Sequence, residues 1–277
     1  MNVLPMERQA QILSALVEGN NVRSTSRMSG AHVGTILNLL VRVGSGCTTL
    51  MDQMMHALRC QRLEVDEIWD YVGMKQKQAS AHPERHGQIG DFYTFVALDA
   101  ETKLVPCFRV GKRTWNETDA FIGDLKSRLA TRVQLTSDAF PAYYGAVSRA
   151  FENRVDYAQL QKVYASDVNW GRYSPPQMVN AIKEPLIGQP DRDLISTSYV
   201  ERQNLTMRMA MRRFTRLTNA FNKKLENLKA AVALYFAHYN FVRIHKTLRV
   251  TPAMAANVSD RLWSMTELVE AALALSN

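Results

Sequence analysis

The chain has 277 residues, 46% hydrophobic and 22% charged, which suits one large domain or one domain with a small appendage and excludes global disorder. Thirty-four Lys and Arg against 26 Asp and Glu leave a net charge of +8, so an anionic partner is expected. No run approaches the roughly 20 apolar residues of a membrane helix, and the N-terminus MNVLPMERQAQ lacks a secretory pattern, so the expectation is a soluble cytoplasmic protein with no membrane partner.

Residues 6–18 place Met6, Ala10, Ile12, Leu13, Leu16 and Val17 at helical spacing, and Gly19-Asn20-Asn21 stops the run. A short stretch from Val22 to Met28 follows, then the turn Ser29-Gly30. An apolar-periodic run with Val33, Ile36, Leu37, Leu40 and Val41 is expected to end at Gly44-Ser45-Gly46. Three short helices in this order outline either a helix-turn-helix unit or a plain three-helix cap. In the first case the third helix presents His32, Thr35 and Asn38 outward, beside Arg27 and Arg42. Cys47, Cys60 and Cys107 are 13 and 47 residues apart, matching neither a disulfide framework nor a paired zinc motif, so reduced, buried thiols are expected.

From Arg62 the pattern changes to strands: RLEVDEIWDYVG, then FYTFVALD at 92–99 and KLVPCFRVG at 103–111. Thr114 to Ala130 reads as an amphipathic helix capped by Thr114 or Asn116. VQLTSD at 133–138 is a short strand ending on an aspartate, residues 139–151 read as a helix, and VDYAQLQKVY at 155–164 as a further strand. The order implies an α/β fold with one mixed five-stranded sheet flanked by helices. Four prolines and two glycines between 165 and 198 suggest an insertion without regular structure. Ser198 to Asn222 then reads as one long helix, Leu225 to Val242 as a second, and an alanine-rich helix from about Ser259 completes the chain. The implied division is a helix-turn-helix domain at 1–46, a linker at 47–61, an α/β domain at 62–245 with an insertion at about 165–197, and a helical tail at 246–277.

Three acids stand out. Asp66 lies inside an apolar strand, Asp138 closes one, and Glu201 opens the helix that carries the basic excess. Alone, Asp138 reads as a turn former or helix cap, and Glu201 as a helix-dipole partner or half of a surface ion pair. A buried Asp66 needs a compensating cation. Glu67 and Asp70 are its nearest competitors, and strand alternation puts Glu67 on the other face. Trp69 reads either as a core or rim aromatic or as a nucleic-acid contact. Seven basic residues and no acid lie between Arg202 and Lys224, and without them the net charge falls from +8 to +1. At about 100° per residue, Asn204, Arg208, Arg212, Arg216 and Asn219 fall on the face of Glu201, with Tyr199, Ala210, Phe214, Leu217 and Phe221 opposite. Arg213 belongs to the same cluster. An acid followed by a ladder of arginines suits one metal ligand with phosphates leading away from it. Three carboxylates and no paired Cys or His favour two Mg²⁺ or Mn²⁺ ions over zinc.

DEIWDYVG at 66–73, LTSDAFPAYYGAV at 135–147 and TSYVERQNLTMRMAMRRFTRLTNAFNKK at 197–224 resemble the DDE transposases of bacterial insertion elements, specifically the IS-one family. The tail YNFVRIHKTLRVTPAMAA at 239–256 is similar to the C-terminal end of several such groups. The resemblance implies a ribonuclease-H-like core with Asp66 on the first strand, Asp138 after the fourth and Glu201 on the helix after the last. It makes these three the metal-binding catalytic triad of a magnesium-dependent enzyme that cleaves DNA at element ends and transfers the freed strand. It further implies double-stranded DNA, both ends and target, as partner, a homo-oligomer on that DNA, and a nucleoid-associated location. His245 reads either as an active-site or phosphate contact or as a helix C-terminal histidine. Relatives commonly carry an N-terminal zinc-binding segment with paired cysteines, which this sequence lacks, so recognition of element ends is expected from the third helix. Two alternatives stay open: a catalytically silent, domesticated DNA-binding regulator, and a ribonuclease-H-like nuclease acting on branched DNA.

Overall fold

The computed structural model describes residues 3–164, 178–215 and 218–276. Helices α1 (Met6–Val17), α2 (Val22–Ser29) and α3 (Val33–Met54) come first, followed by the central strand β1 (Arg62–Val72). A short helix α4 (Gln76–Ala79) leads to β2 (Gly90–Asp99), β3 (Phe108–Gly111) and helix α5 (Trp115–Arg128). Then come β4 (Gln134–Asp138), α6 (Pro141–Phe151), β5 (Asp156–Tyr164) and β6 (Met178–Ile187). Helices α7 (Ser198–Ala210), α8 (Leu225–Phe241), α9 (Pro252–Ala255) and α10 (Met265–Leu275) close the chain.

The sheet runs β3-β2-β1-β4-β5-β6. β2 pairs antiparallel with β1 and β3, β4 pairs parallel with β1 and β5, and β6 pairs antiparallel with β5. This mixed sheet flanked by helices is compatible with a ribonuclease-H-like fold. Phe95 of β2 meets Phe121 of α5 on one face, and Phe108 of β3 stacks on Phe236 of α8 on the other, the side that also carries α7.

Several boundaries differ from those read in the sequence. The sheet has a sixth strand, β6, because an edge strand tolerates proline: Pro185 stands opposite Ala158 at a register shift, where no ladder N–H is required. β3 begins only at Phe108, since Pro106 interrupts it; instead the Asn240 side chain, through Oδ1 and Nδ2, pairs with the N–H and carbonyl of Val105. α7 stops at Ala210, where Met211 turns to extended backbone, so the basic segment is not one helix. α10 starts at Met265, behind a capping box made by Ser264 and Glu267.

Gly44 and Gly46 do not end α3. The helix runs to Met54, so residues 47–54, expected within a linker, are helical. Both glycines are buried contact points: a Cβ on Gly44 would run into Ala230 of α8, and one on Gly46 into the backbone of Ala272 in α10. α3 is, by length and composition, long and apolar enough to cross a membrane, contrary to the sequence reading. Here Ile36, Leu40, Val43, Cys47 and Leu50 are buried, and the helix packs on α8 and α10. Cys47, Cys60 and Cys107 are free and buried.

Replacing Gly46 by Ala is expected to lower stability by about 1–3 kcal/mol in urea unfolding, although Ala gains about 1 kcal/mol over Gly in an open helix. A stability increase would mean that α10 does not press on this point.

Candidate metal centre

β1 alternates its acids between two faces. Glu64, Asp66 and Asp70 face the segment 198–222, while Glu67 faces α6. Glu64 is fully buried and accepts hydrogen bonds from the N–H groups of Tyr199 (2.7 Å) and Val200 (3.0 Å), two orphan donors at the N-terminus of α7. Burial raises its pKa; the two N–H bonds pull it back. One turn on, Asn204 Nδ2 donates to Asp66 Oδ2 at 2.8 Å.

Parallel register brings in the second acid. Glu64 lies beside Thr136, so two residues further along Asp66 and Asp138 emerge at the same end of neighbouring strands. Asp138 Oδ1 accepts from the Phe140 N–H at 3.0 Å, which turns the chain into α6. The β1–β4 ladder stops at Glu64 and Thr136. Beyond it the strands part, and Glu67 reaches the same place from the other face. Oxygen atoms of Asp66, Glu67 and Asp138 lie within 4.8 Å of one another.

Arg113 faces this group. Its guanidinium lies 3.3 Å from Glu67 Oε2 and 3.6 Å from Asp138 Oδ2, and packs over the Phe140 ring at 3.9 Å. Burial, then the neighbouring acids, push Asp66 up to about 6 and Glu67 up to about 7. Tyr143, fully buried in α6 beside Glu67, is pushed well above its ordinary range for the same reason.

Glu201 is near enough for its charge to raise the pKa of Asp66, but its carboxylate is taken by Lys162 of β5 and the hydroxyl of Thr197. The expected triad therefore gathers at one end of the sheet, while the acids whose oxygens converge are Asp66, Asp138 and Glu67. Strand alternation, which puts Glu67 on the other face, does not by itself keep Glu67 from this group. The usable signal was a central apolar strand carrying Glu64, Asp66, Glu67 and Asp70, more acids than such a strand holds without partners.

The residues fit a hard divalent cation. All converging donors are oxygens. Glu67 Oε1 and Asn204 Oδ1 are buried acceptors without a hydrogen-bond partner among the described residues, the deficit that a cation and its waters satisfy.

The basic residues separate into groups. Arg212 is exposed in a 3-10 turn after α7, and Arg208 is half-buried, its charge lowering the pKa of Asp70. Arg213, expected in an open ladder, is turned inward: Nη1 donates to Asn222 Oδ1 at 2.9 Å, Nη2 is buried, and burial lowers its pKa to about 10. Its opposing charge is Asp70, itself pushed to about 7 by burial and bonded to Asn222. Arg216 lies outside the described residues. The packing face of α7 is Val200, Gln203, Asn204 and Met207, not the side containing Tyr199, which is 38% exposed. Arg27, His32, Thr35, Asn38 and Arg42 are all exposed, and His32 also caps α3 by accepting from the Gly34 N–H at 3.1 Å. Trp69 is half-buried against Tyr71, which stacks on Phe221. His245 sits among Lys103 and Arg243, and burial followed by their charge lowers its pKa.

Fold and site together define a mixed α/β protein whose central strands converge on a carboxylate group able to hold a divalent cation. No family model and no curated protein matches the chain. Among solved structures, a pre-cleavage Mos1 transpososome is similar at 15% identity over 57% of this chain and 60% of that one, with a TM-score of 0.23. That likeness is distant and spans less than two thirds of the neighbour.

The raised pKa of Glu67 fixes the sign of a pH effect. The folded state holds this proton more tightly than the unfolded chain, so the contribution of Glu67 to stability is full below about 4.5 and is lost as pH rises to about 7. In EDTA, Glu67→Gln is expected to gain on the wild type by about 1–3 kcal/mol between pH 5 and pH 8, read by urea unfolding. A pH-independent difference would place Glu67 in a solvated setting.

Proposed function

We propose that the chain is a metal-dependent DNA transposase of the DDE type, similar to the IS-one family, with Asp66, Asp138 and Glu201 as its catalytic carboxylates. The observation that carries this reading is the approach of Asp66 and Asp138, with Glu67, to within 4.8 Å just past the end of the β1–β4 ladder, together with the Glu64 clamp that lays the first turn of α7 over the same end. Two Mg²⁺ or Mn²⁺ ions held by these carboxylates would activate a water or a 3′-hydroxyl and stabilise the leaving oxygen of an in-line displacement at phosphorus.

The chain's own groups have distinct tasks. Asn204 orients the Asp66 carboxylate by donating to Oδ2. Lys162 and Thr197 hold Glu201 ready beside the converging acids. Arg208 and Arg212, with exposed Arg202, Lys223 and Lys224, supply phosphate contacts that position DNA without reading its sequence. In this proposal residues 1–46 act as a helix-turn-helix module, with His32, Thr35 and Asn38 toward base edges and Arg27 toward phosphates. Bringing two element ends together calls for a homo-oligomer on DNA, working at the nucleoid in the cytoplasm.

The test is nicking of supercoiled DNA carrying the flanking inverted repeats. The wild type is expected to nick with Mg²⁺ or Mn²⁺ and not in EDTA, and Glu201→Gln to lose about two orders of magnitude or more in rate while still binding DNA. A wild type that binds the DNA and never nicks it with either metal would overturn the enzyme reading in favour of a DNA-binding regulator.

A further inference from the structure

We infer that Glu67 is a fourth carboxylate of this site, a direct ligand that holds one divalent cation jointly with Asp66 and Asp138, and that Arg113 is the side chain this cation displaces. The inference rests on the metal-dependent reading above and adds to it a ligand from the opposite face of the sheet.

Its basis is the gap where β1 and β4 separate. Adjacent residues of a strand point to opposite faces, so Asp66 and Glu67 share a ligand only along an edge where the strand has lost its neighbour, as β1 has lost β4 here while staying paired with β2. The β1–β4 pairing ends at Glu64 and Thr136, and Asp138, the last residue of β4, stands at that opening. The three carboxylates come within 4.8 Å of one another there.

Burial supplies a second, independent observation. The Glu67 side chain is only 3% exposed, and its Oε1 is fully buried with no hydrogen-bond partner. Tyr143, also fully buried, sets its hydroxyl beside Glu67 and is, among the described residues, the one neutral group near enough to share a proton with the carboxylate, though not in the geometry of a full hydrogen bond. An ionised carboxylate in such a setting requires a positive charge close to the unpartnered oxygen. Arg113 meets only the other oxygen, Oε2, and does so at 3.3 Å, longer than a good charge-assisted hydrogen bond.

Charge balance points the same way. Three converging carboxylates face one guanidinium, which cannot neutralise them, and a divalent cation with hard oxygen ligands brings more positive charge than the side chain it displaces. Arg113 is 36% exposed and rests on the open face of Phe140, so its guanidinium can move outward, toward solvent or a DNA phosphate, without disturbing the core. Glu201, engaged by Lys162 and Thr197, remains available from the other side of Asp66.

The experiment is Mn²⁺ binding to the full chain at neutral pH, by calorimetry and by the Mn²⁺-induced rise in melting temperature, for the wild type, Asp66→Asn, Glu67→Gln and Arg113→Gln. Anything that binds only the folded state raises its melting temperature, so this readout needs no catalytic activity. Expected are loss of specific binding in Asp66→Asn, at least tenfold weaker binding in Glu67→Gln, and several-fold tighter binding in Arg113→Gln. If Asp66→Asn loses Mn²⁺ while Glu67→Gln binds within twofold of the wild type, Glu67 is an internal partner of Arg113 and only this inference falls. If Asp66→Asn binds Mn²⁺ as the wild type does, the metal-dependent reading falls with it. Should Glu67→Gln fail to fold, Arg113→Gln decides alone: unchanged or weaker binding overturns the exchange of Arg113 for the cation.

Discussion

Glu64, a carboxylate with no exposure to solvent, accepts two hydrogen bonds from the first turn of α7, and the arrangement of the site follows from that contact. Burying a carboxylate is costly unless it is bonded, and the N-terminal N–H groups of a helix have no partners within the helix, so Glu64 Oε2 and the two N–H groups meet each other's need. Once Tyr199 and Val200 are fixed on β1, helical geometry carries Glu201 and Asn204 to Asp66. The contact repeats along the strand. Asp66 accepts from Asn204, and Asp70 accepts from Asn222, whose carbonyl in turn takes the Gly73 N–H at 2.7 Å. Contacts from residues 199–222 thus fasten that segment to β1 at three acids on one face, Glu64 and Asp70 buried and Asp66 half-buried, each met by an amide donor.

Glu67 stands apart from that series. It faces α6, where Tyr143 and Arg113 gather, and reaches Asp66 and Asp138 only because the β1–β4 ladder has ended. One end of the sheet consequently collects acids from both faces, with Lys162 holding Glu201 on one side and Arg113 facing Glu67 and Asp138 on the other. Two cations of the protein's own occupy positions beside the carboxylates. Such an arrangement offsets part of the repulsion in a dense negative cluster.

Much of this was legible in the sequence where period and punctuation agree. β1, β2, β4 and β5 follow from apolar runs between turn residues, and α5 from its Thr114 cap, which accepts from the Glu117 N–H. Misreadings arose where a residue's role depends on a distant neighbour. Gly44 and Gly46 look like a helix stop but are the points where α8 and α10 press on α3. Pro185 looks like a strand breaker but lies on an edge strand, where its missing N–H costs no ladder bond. The arginines after Glu201 look like one face of a long helix, yet α7 ends at Ala210 and Arg213 turns inward to Asn222. Alternation does put Glu67 on the face opposite Asp66, but with no β4 neighbour beyond Glu64 a side chain from that face still reaches Asp66 and Asp138.

The sequence marks three candidate acids and not their geometry. Asp66 and Asp138 are joined by strand register, which a sequence implies once the strand order is known; the distance of Glu201 from them depends on Glu64, which no local pattern marks. The measurement that bears most directly on the account is a crystal structure of the full chain in saturating Mn²⁺, with anomalous scattering recorded at the manganese edge. Manganese is expected in direct contact with carboxylate oxygens of Asp66 and Asp138, with Glu201 released from Lys162. An intact Lys162–Glu201 pair and no manganese beside Asp66 would contradict it.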